Sequence, residues 1–351
     1  MKLAIVGTVG VPACYGGFET LVENLLDMND SSNDITIYCS SVSYTEKLTT
    51  YKNAKLKYLP LNANGFQSIP YDIFSLVLSI YNRSESILVL GVSGAIFFPF
   101  IRIFTKSKLI TNIDGLEWKR SKWPRFVRHF LKISEKMAIK YSHEIVADNS
   151  AIADYVMQQY GCKATVIAYG GDHSLIKEPQ NTKGEYDLAL CRIEPENNVE
   201  LILKSFSDTT RKLKFIGNWK NSKYGLSMKS KYASCENIDI IDPIYDIETL
   251  FGIRQNCALY IHGHSAGGTN PSLVEMMHFN KNILAYDCSY NRATTENKGA
   301  YFSTSEDLIA LINSSELINN ANDMKEIAIR RYTWHVVRKQ YLELLTISIN
   351  D

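Results

Sequence analysis

The chain carries almost no surplus charge: 38 lysines and arginines stand against 37 aspartates and glutamates, a formal net of +1 over 351 residues. A balance that close argues against a protein that holds nucleic acid by bulk charge. Paired cysteines are missing too. Seven are scattered (Cys14, Cys39, Cys162, Cys191, Cys235, Cys257 and Cys288), odd in number and without a C-x-x-C spacing. Neither a disulfide framework nor a zinc site follows, and a reducing cytosol is expected. No apolar run is long enough to cross a bilayer. Ile87 to Ile101 comes nearest, but Gly91, Gly94 and Pro99 interrupt it, and a span needs roughly 18–20 apolar residues. Leu3 to Gly7 is likewise too short for a secretory signal. The segment Gly7-Thr8-Val9-Gly10-Val11-Pro12-Ala13 does not supply G-x-G-x-x-G, which argues against a nucleotide-sugar dehydrogenase or epimerase. No D-x-D pair is placed to hold a cation, so no metal and no other cofactor is expected.

What the chain does have is alternation. Strand-like runs at Leu3–Gly7, Ile35–Tyr38, Leu56–Leu59, Ile87–Leu90, Leu109–Ile113, Ile145–Ala147 and Thr165–Ala168 are mostly separated by helical stretches, among them Ile69–Tyr81, Pro124–Tyr141 and Ala151–Tyr160. The polar stretch Lys177–Glu185, with Pro179 and Gly184, reads as a linker. Alternation then restarts, with strands at Leu188–Cys191, Leu213–Ile216, Ile238–Ile241, Ala258–Ile261 and Ile283–Tyr286, and a helix near Tyr332–Leu345 closes the chain. Such a pattern predicts α/β architecture: two doubly wound, Rossmann-like domains, 1–172 and 173–351, facing a cleft at the carboxyl ends of their sheets.

The segment Gly263-His264-Ser265-Ala266-Gly267-Gly268-Thr269-Asn270-Pro271-Ser272-Leu273-Val274-Glu275 organises the second half. With the apolar run Ala258–Ile261 before it, it spells buried strand, glycine loop and helix start, with Thr269 or Asn270 as N-cap and Pro271 at the first helical position. Free N–H groups there, unobstructed at Gly267 and Gly268, suit a phosphate; a plain tight turn is the other reading. Glu275, one turn inside, is placed to accept hydrogen bonds from sugar hydroxyls.

Arg192 ends the first strand of the second half, where its guanidinium could fork onto a diphosphate or simply face solvent. Asp114, before Gly115 at another strand end, is either an acceptor or base for a sugar hydroxyl or part of an Asx turn. His262 and His264 share a strand face, but zinc takes three or four ligands and no third is spaced nearby. From Arg102 to Lys140 basic residues outnumber acidic ones, with Trp118, Trp123, Phe126 and Phe130 interleaved. That segment fits an anionic bilayer surface or a solvated helix face.

Taken together, Val6-Gly7-Thr8, Tyr15-Gly16-Gly17-Phe18-Glu19-Thr20, Asp114 to Arg120, Phe215 to Trp219, His262 to Glu275 and Asn291 to Asn297 resemble the GT-B retaining glycosyltransferases of family 4. Within that family they look most like the bacterial rhamnosyltransferase-type group of capsule and exopolysaccharide assembly. The resemblance covers essentially the whole chain. It implies the GT-B fold, with an acceptor-side first domain, a donor-binding second domain and a last helix, about 332–346, that crosses back to the first.

By the same resemblance, Glu275 is the second glutamate of an E-x7-E motif and binds the donor ribose. Gly268 follows the first glutamate's position, the backbone from Thr269 through Asn270 to Pro271 faces the donor phosphates, as does Arg192, and Ser272 is counted with the substrate-binding residues. Gly16 and Gly17 match the first-domain glycine loop that approaches the phosphates and the acceptor, and Glu19, in the same stretch, is counted as substrate-binding. Two positions depart from the pattern: Gly267 stands where the first glutamate is usual, and Asn197 where a lysine is usual.

Asp114 and Arg192 are the expected catalytic pair. The activity implied is transfer of a sugar, L-rhamnose from dTDP-rhamnose, to a polyprenyl-diphosphate-linked saccharide at the cytoplasmic face of the membrane. A UDP- or GDP-hexose donor, or a protein that binds nucleotide sugar without turnover, is the alternative.

Overall fold

The computed structural model describes residues 1–14, 16–27, 33–119, 123–180, 182 and 184–346. Tyr15 of the first glycine loop, and Arg120 and Lys122 of the basic segment, lie outside these. The chain forms two compact units: Met1–Ala168 together with the chain from Val337 onward, and Tyr169–Val336.

The first unit is built on an eight-stranded sheet: β1 (Lys2–Val6), β2 (Asp34–Ser40), β3 (Thr50–Tyr51), β4 (Ala54–Leu59), β5 (Ser86–Leu90), β6 (Lys108–Asn112), β7 (Glu144–Ala147) and β8 (Thr165–Val166). Their order is β3-β4-β2-β1-β5-β6-β7-β8, parallel except for the β3–β4 pair. The helices are α1 (Gly17–Leu25), α2 (Ser68–Tyr81), α3 (Phe98–Phe104), α4 (Arg125–Tyr141) and α5 (Ser150–Tyr160). Crossovers between parallel strands are right-handed. The step from β1 to β2 therefore puts α1 on one face, and the reverse steps from β4 onward put α2, α3, α4 and α5 on the other. Central strands buried on both sides read as unbroken apolar runs, as in Ser86–Leu90, where all five residues are buried.

The second unit holds a parallel six-stranded sheet: β9 (Tyr186–Leu190), β10 (Leu213–Ile216), β11 (Ile238–Ile241), β12 (Cys257–His262), β13 (Asn282–Tyr286) and β14 (Ala300–Phe302), in the order β11-β10-β9-β12-β13-β14. Its helices are α6 (Val199–Ser207), α7 (Lys223–Lys231), α8 (Ile247–Gln255), α9 (Pro271–Met277), α10 (Ser289–Thr294), α11 (Ser305–Asn313) and α12 (Ala321–Arg331). Phe206, Phe215 and Trp219 are fully buried at the centre of one core layer. Trp219 donates its indole N–H to Ile241 O at 2.9 Å.

The last helix, α13 (Trp334–Thr346), begins in the second unit and continues in the first. Within the first unit Lys108 Nζ donates to Leu344 O at 2.6 Å, and Asn112 Nδ2 to Tyr341 Oη at 2.8 Å. The polar stretch read as a linker belongs to the second unit. Gln180 N and Thr182 Oγ1 donate to Gln255, and Lys281 Nζ donates to Thr182 O. Composition marks such a segment as polar, but its anchors lie far along the chain.

Candidate nucleotide and sugar site

In open α/β sheets ligands bind where the strand order reverses, at the carboxyl ends of the strands. The second unit reverses between β9 and β12, because the chain leaves β9 toward β10 and β11 and returns on β9's other side. Arg192 and the 263–270 loop follow these two strands. The first unit reverses between β1 and β5, and Gly7–Gly17 follows β1.

In the second unit the two loops are joined. Asn198 Nδ2 donates to Gly263 O at 2.8 Å, and Ser265 donates to Glu196 O from its N–H at 3.1 Å and its hydroxyl at 2.7 Å. Gly263 is required by contact: a Cβ would lie 2.2 Å from Asn197 O. Asn197 is buried and couples both sides of the site. Its amide N–H donates to Arg192 O at 2.7 Å, and its carbonyl accepts from His264 Nδ1 at 2.5 Å. The position where the resemblance calls for a lysine is therefore a neutral brace, while the Arg192 side chain is exposed.

Of the two caps open in the sequence, Asn270 is the one used: its Oδ1 accepts from Ser272 N at 3.0 Å and from Ser272 Oγ at 2.7 Å. Pro271 opens α9. Thr269 is buried. Gly267 takes φ +112°, a conformation open to glycine, and a Cβ there would sit 3.0 Å from His264 Nε2. Under the loop, Tyr260 Oη donates to Ser272 Oγ at 3.1 Å. His262 is buried, and burial first, then His264, pushes its imidazole well below the ordinary value, so it is neutral. Among the described residues His262 and His264 join no cluster of three or more metal-ligating side chains.

Glu275 sits in a network that its local sequence does not announce. Arg254, on α8, forms an ion pair with Oε2. His173 Nε2 lies 3.3 Å from Oε1. Trp334 donates its indole N–H to His173 Nδ1 at 3.0 Å, so Nδ1 accepts and Nε2 carries the hydrogen toward Glu275. Trp334 N donates to Asp172 Oδ1 at 2.8 Å. Burial alone would raise the Glu275 carboxyl; Arg254 and His173 outweigh it and hold it below the ordinary glutamate value. Gly171 lets this segment touch α9, since a Cβ would lie 2.6 Å from Val274 O.

In the first unit, Glu19 Oε1 accepts from Thr8 Oγ1 at 2.9 Å and Val9 N at 2.7 Å, and Glu23 Oε2 accepts from Ala13 N at 2.7 Å. Gly16 has φ +99°, and a Cβ on it would lie 2.5 Å from Glu19 Oε2; Gly17 starts α1. Glu19 is buried and bound to its own loop, so what it does directly is shape that loop. Burial pushes its carboxyl up, and the donors from Val9 and Thr8 offset part of the rise.

Asp114 has φ +57° and donates its N–H to Asn112 Oδ1 at 2.9 Å, an Asx turn made by the preceding asparagine. The loop beyond it is clamped from α4: Trp118 Nε1 donates to Glu135 Oε2 at 2.9 Å, and Arg128 Nε to Trp118 O at 2.8 Å. Trp123 Nε1 donates to Glu117 Oε2 at 3.2 Å. Both tryptophans and Phe130 are half-buried, whereas Phe126 is 68% exposed.

Residues 1–172 match a protein family described as a domain of unknown function (DUF1972). No curated protein matches the chain. Solved structures do. Sucrose-phosphate synthase from Thermosynechococcus elongatus superposes with a TM-score of 0.79 at 10% identity, over 97% of each chain. Anabaena HepE in complex with UDP matches at 0.74 and 13% identity, over 99% of this chain and 100% of that one. The lipopolysaccharide outer core galactosyltransferase WaaB matches at 0.67 and 14% identity, over 98% of each. Identities this low speak to architecture, and the architecture is that of GT-B: two Rossmann-like α/β units.

Proposed function

We propose that this protein is a glycosyltransferase that moves a sugar from a nucleotide-sugar donor to a lipid-linked saccharide. The observation that carries the reading is the switch point of the second unit. There the strand end bearing Arg192 and the glycine loop leading to Glu275 are bonded together, in a fold shared with a protein solved in complex with UDP-glucose.

Breaking a sugar–phosphate bond leaves charge on the departing diphosphate. Arg192 and the backbone N–H groups after Gly268 meet that charge, and preorganised donors of this kind stabilise it without moving. Glu275 spends one oxygen on Arg254 and the other on His173. A carboxylate has about four acceptor sites, so both oxygens can still take ribose hydroxyls. Asp114 is offered to an acceptor hydroxyl. The departing phosphate and the arriving hydroxyl share one face of the sugar. The bond to the phosphate oxygen breaks as the hydroxyl oxygen bonds to the same carbon, and the hydroxyl's proton passes to the departing phosphate, which gives retention without a protein nucleophile. The resemblance makes the donor dTDP-rhamnose and the acceptor a saccharide on a polyprenyl diphosphate, reached from the inner leaflet by peripheral contact. Among the described residues no helix is long and apolar enough to cross a membrane.

Calorimetry with a panel of dTDP-, UDP- and GDP-sugars tests the reading. One donor should bind, dTDP-rhamnose most tightly, and Arg192→Gln should weaken it by about tenfold or more, the worth of a charge-assisted bond. A panel with no binder, or unchanged affinity in the variant, defeats it.

A further inference from the structure

The three helices α2, α3 and α4 lie side by side on one face of the first sheet, with α3 packed against both neighbours. Their outward side is unusually apolar. On α2 the buried residues Tyr71, Asp72, Ser75, Leu76 and Ser79 face the sheet. Phe74, Val77 and Tyr81, spaced by three and four, face out at 58%, 44% and 82% exposure. On α3, Phe100, Ile103 and Phe104 are 54%, 75% and 73% exposed, and Phe100 stacks on Phe97 at 5.4 Å between ring centroids. On the first turn of α4, Phe126 is 68% exposed as well. Scattered exposed apolar residues are ordinary, but a run of aromatic and branched side chains across three adjacent helices marks an interaction surface.

Charge decides what that surface meets. The acids on these helices are Asp72 and Glu135, and both are buried. Arg102 on α3 and Arg125, Lys136 and Lys140 on α4 are exposed. A face that is apolar and purely cationic complements an anionic bilayer. It opposes a second copy of itself, since a symmetric contact would bring cations together with no acid to answer them.

We infer that the outer face of α2, α3 and α4 docks on an anionic lipid bilayer, with the side chains of α2 and α3 entering the interface and the cations of α3 and α4 lying on the headgroups. The inference deepens the membrane-side acceptor proposed above and rests on it. It also reassigns the anchor, because Trp118 and Trp123 spend their N–H groups on Glu135 and Glu117, whereas Phe74, Val77 and Tyr81 lie outside the basic segment altogether.

Flotation with vesicles of phosphatidylglycerol and phosphatidylcholine in equal parts, and of phosphatidylcholine alone, tests it. The full chain should float with the mixed vesicles and remain behind with the neutral ones. Phe74→Ser with Ile103→Ser and Phe104→Ser should lower partitioning by at least about a hundredfold. Arg125→Gln with Lys136→Gln and Lys140→Gln should lower it by roughly fivefold for each cation removed. All six positions are exposed, so unchanged circular dichroism is expected and is checked. Wild-type flotation by the apolar variant overturns the inference. So does a wild-type chain that ignores both vesicles and sediments as a dimer that the apolar variant converts to monomer. Nucleotide-sugar binding is measured on the same preparations. Binding without flotation fails the docking face alone; flotation without binding fails the transferase reading alone.

Discussion

Removing Glu275 should destabilise the second unit before it says anything about a ligand. Its carboxylate is the counter-charge of Arg254, whose side chain is 6% exposed, and it accepts from His173 at 3.3 Å. Glu275→Ala leaves a guanidinium buried against Phe279 without a partner. Breaking one side of a buried pair costs about 3–5 kcal/mol, and the lower end applies because the Glu275 side chain keeps 14% exposure. Glu275→Gln combined with Arg254→Met removes both charges and should regain most of that loss. Urea denaturation at neutral pH reads both variants from their midpoints. The sign with pH follows from the lowered carboxyl. Its contribution is complete above the ordinary glutamate value of 4.5 and is lost as pH falls through the lower folded value. Were Glu275→Ala to unfold within about 0.5 kcal/mol of wild type, the ion pair would contribute nothing to stability, contrary to this expectation.

Further outcomes follow from other sites. Burial pushes the Asp72 carboxyl up to about 8, with the Gly94 N–H offsetting part of the rise. Between the ordinary 3.8 and about 8 the folded chain keeps a proton that the unfolded chain has shed, so stability falls as pH rises. Asp72→Asn should flatten that slope and stabilise the protein at pH 8 by on the order of a few kcal/mol, read by denaturant melts across pH. Trp334→Phe removes the donor to His173 Nδ1 and some packing. It should cost about 1–3 kcal/mol and free the ring to change tautomer, visible in the His173 nitrogen shifts. Sugar transfer should persist in a chelator if, as proposed, Arg192 and backbone N–H groups meet the phosphate charge; loss in chelator and recovery with magnesium would count against that.

How much of this was legible in the sequence depended on range. The Asn270 cap, Pro271 at the helix start and the glycines of the 263–268 loop were readable because their reasons lie within a few residues. Strands buried on both faces were readable as apolar runs. What lay hidden was long-range: Arg254 is 21 residues from Glu275, and His173, which meets Glu275, is itself held by Trp334 from the opposite end of the second unit. Arg254 is the last-turn basic residue of a short helix, a feature that looks like ordinary capping chemistry. Helix α7, whose sequence is lysine-rich with few apolar positions, gave too weak a periodic signal to be read. The outward stripe on α2 was concealed differently. Its apolar residues surround the whole helix, and only the sheet topology tells which side is left without a cover.

The central claim is turnover at the second unit's switch point. Mass spectrometry of the products formed when this chain is incubated with dTDP-rhamnose and a polyprenyl-diphosphate saccharide in mixed anionic vesicles tests it directly. Turnover yields a product heavier by one rhamnosyl unit in step with released dTDP, with strongly reduced formation by Arg192→Gln. Binding of the donor with neither product nor released dTDP, across UDP- and GDP-sugars as well, would contradict it and leave a protein that holds nucleotide sugar without transferring it.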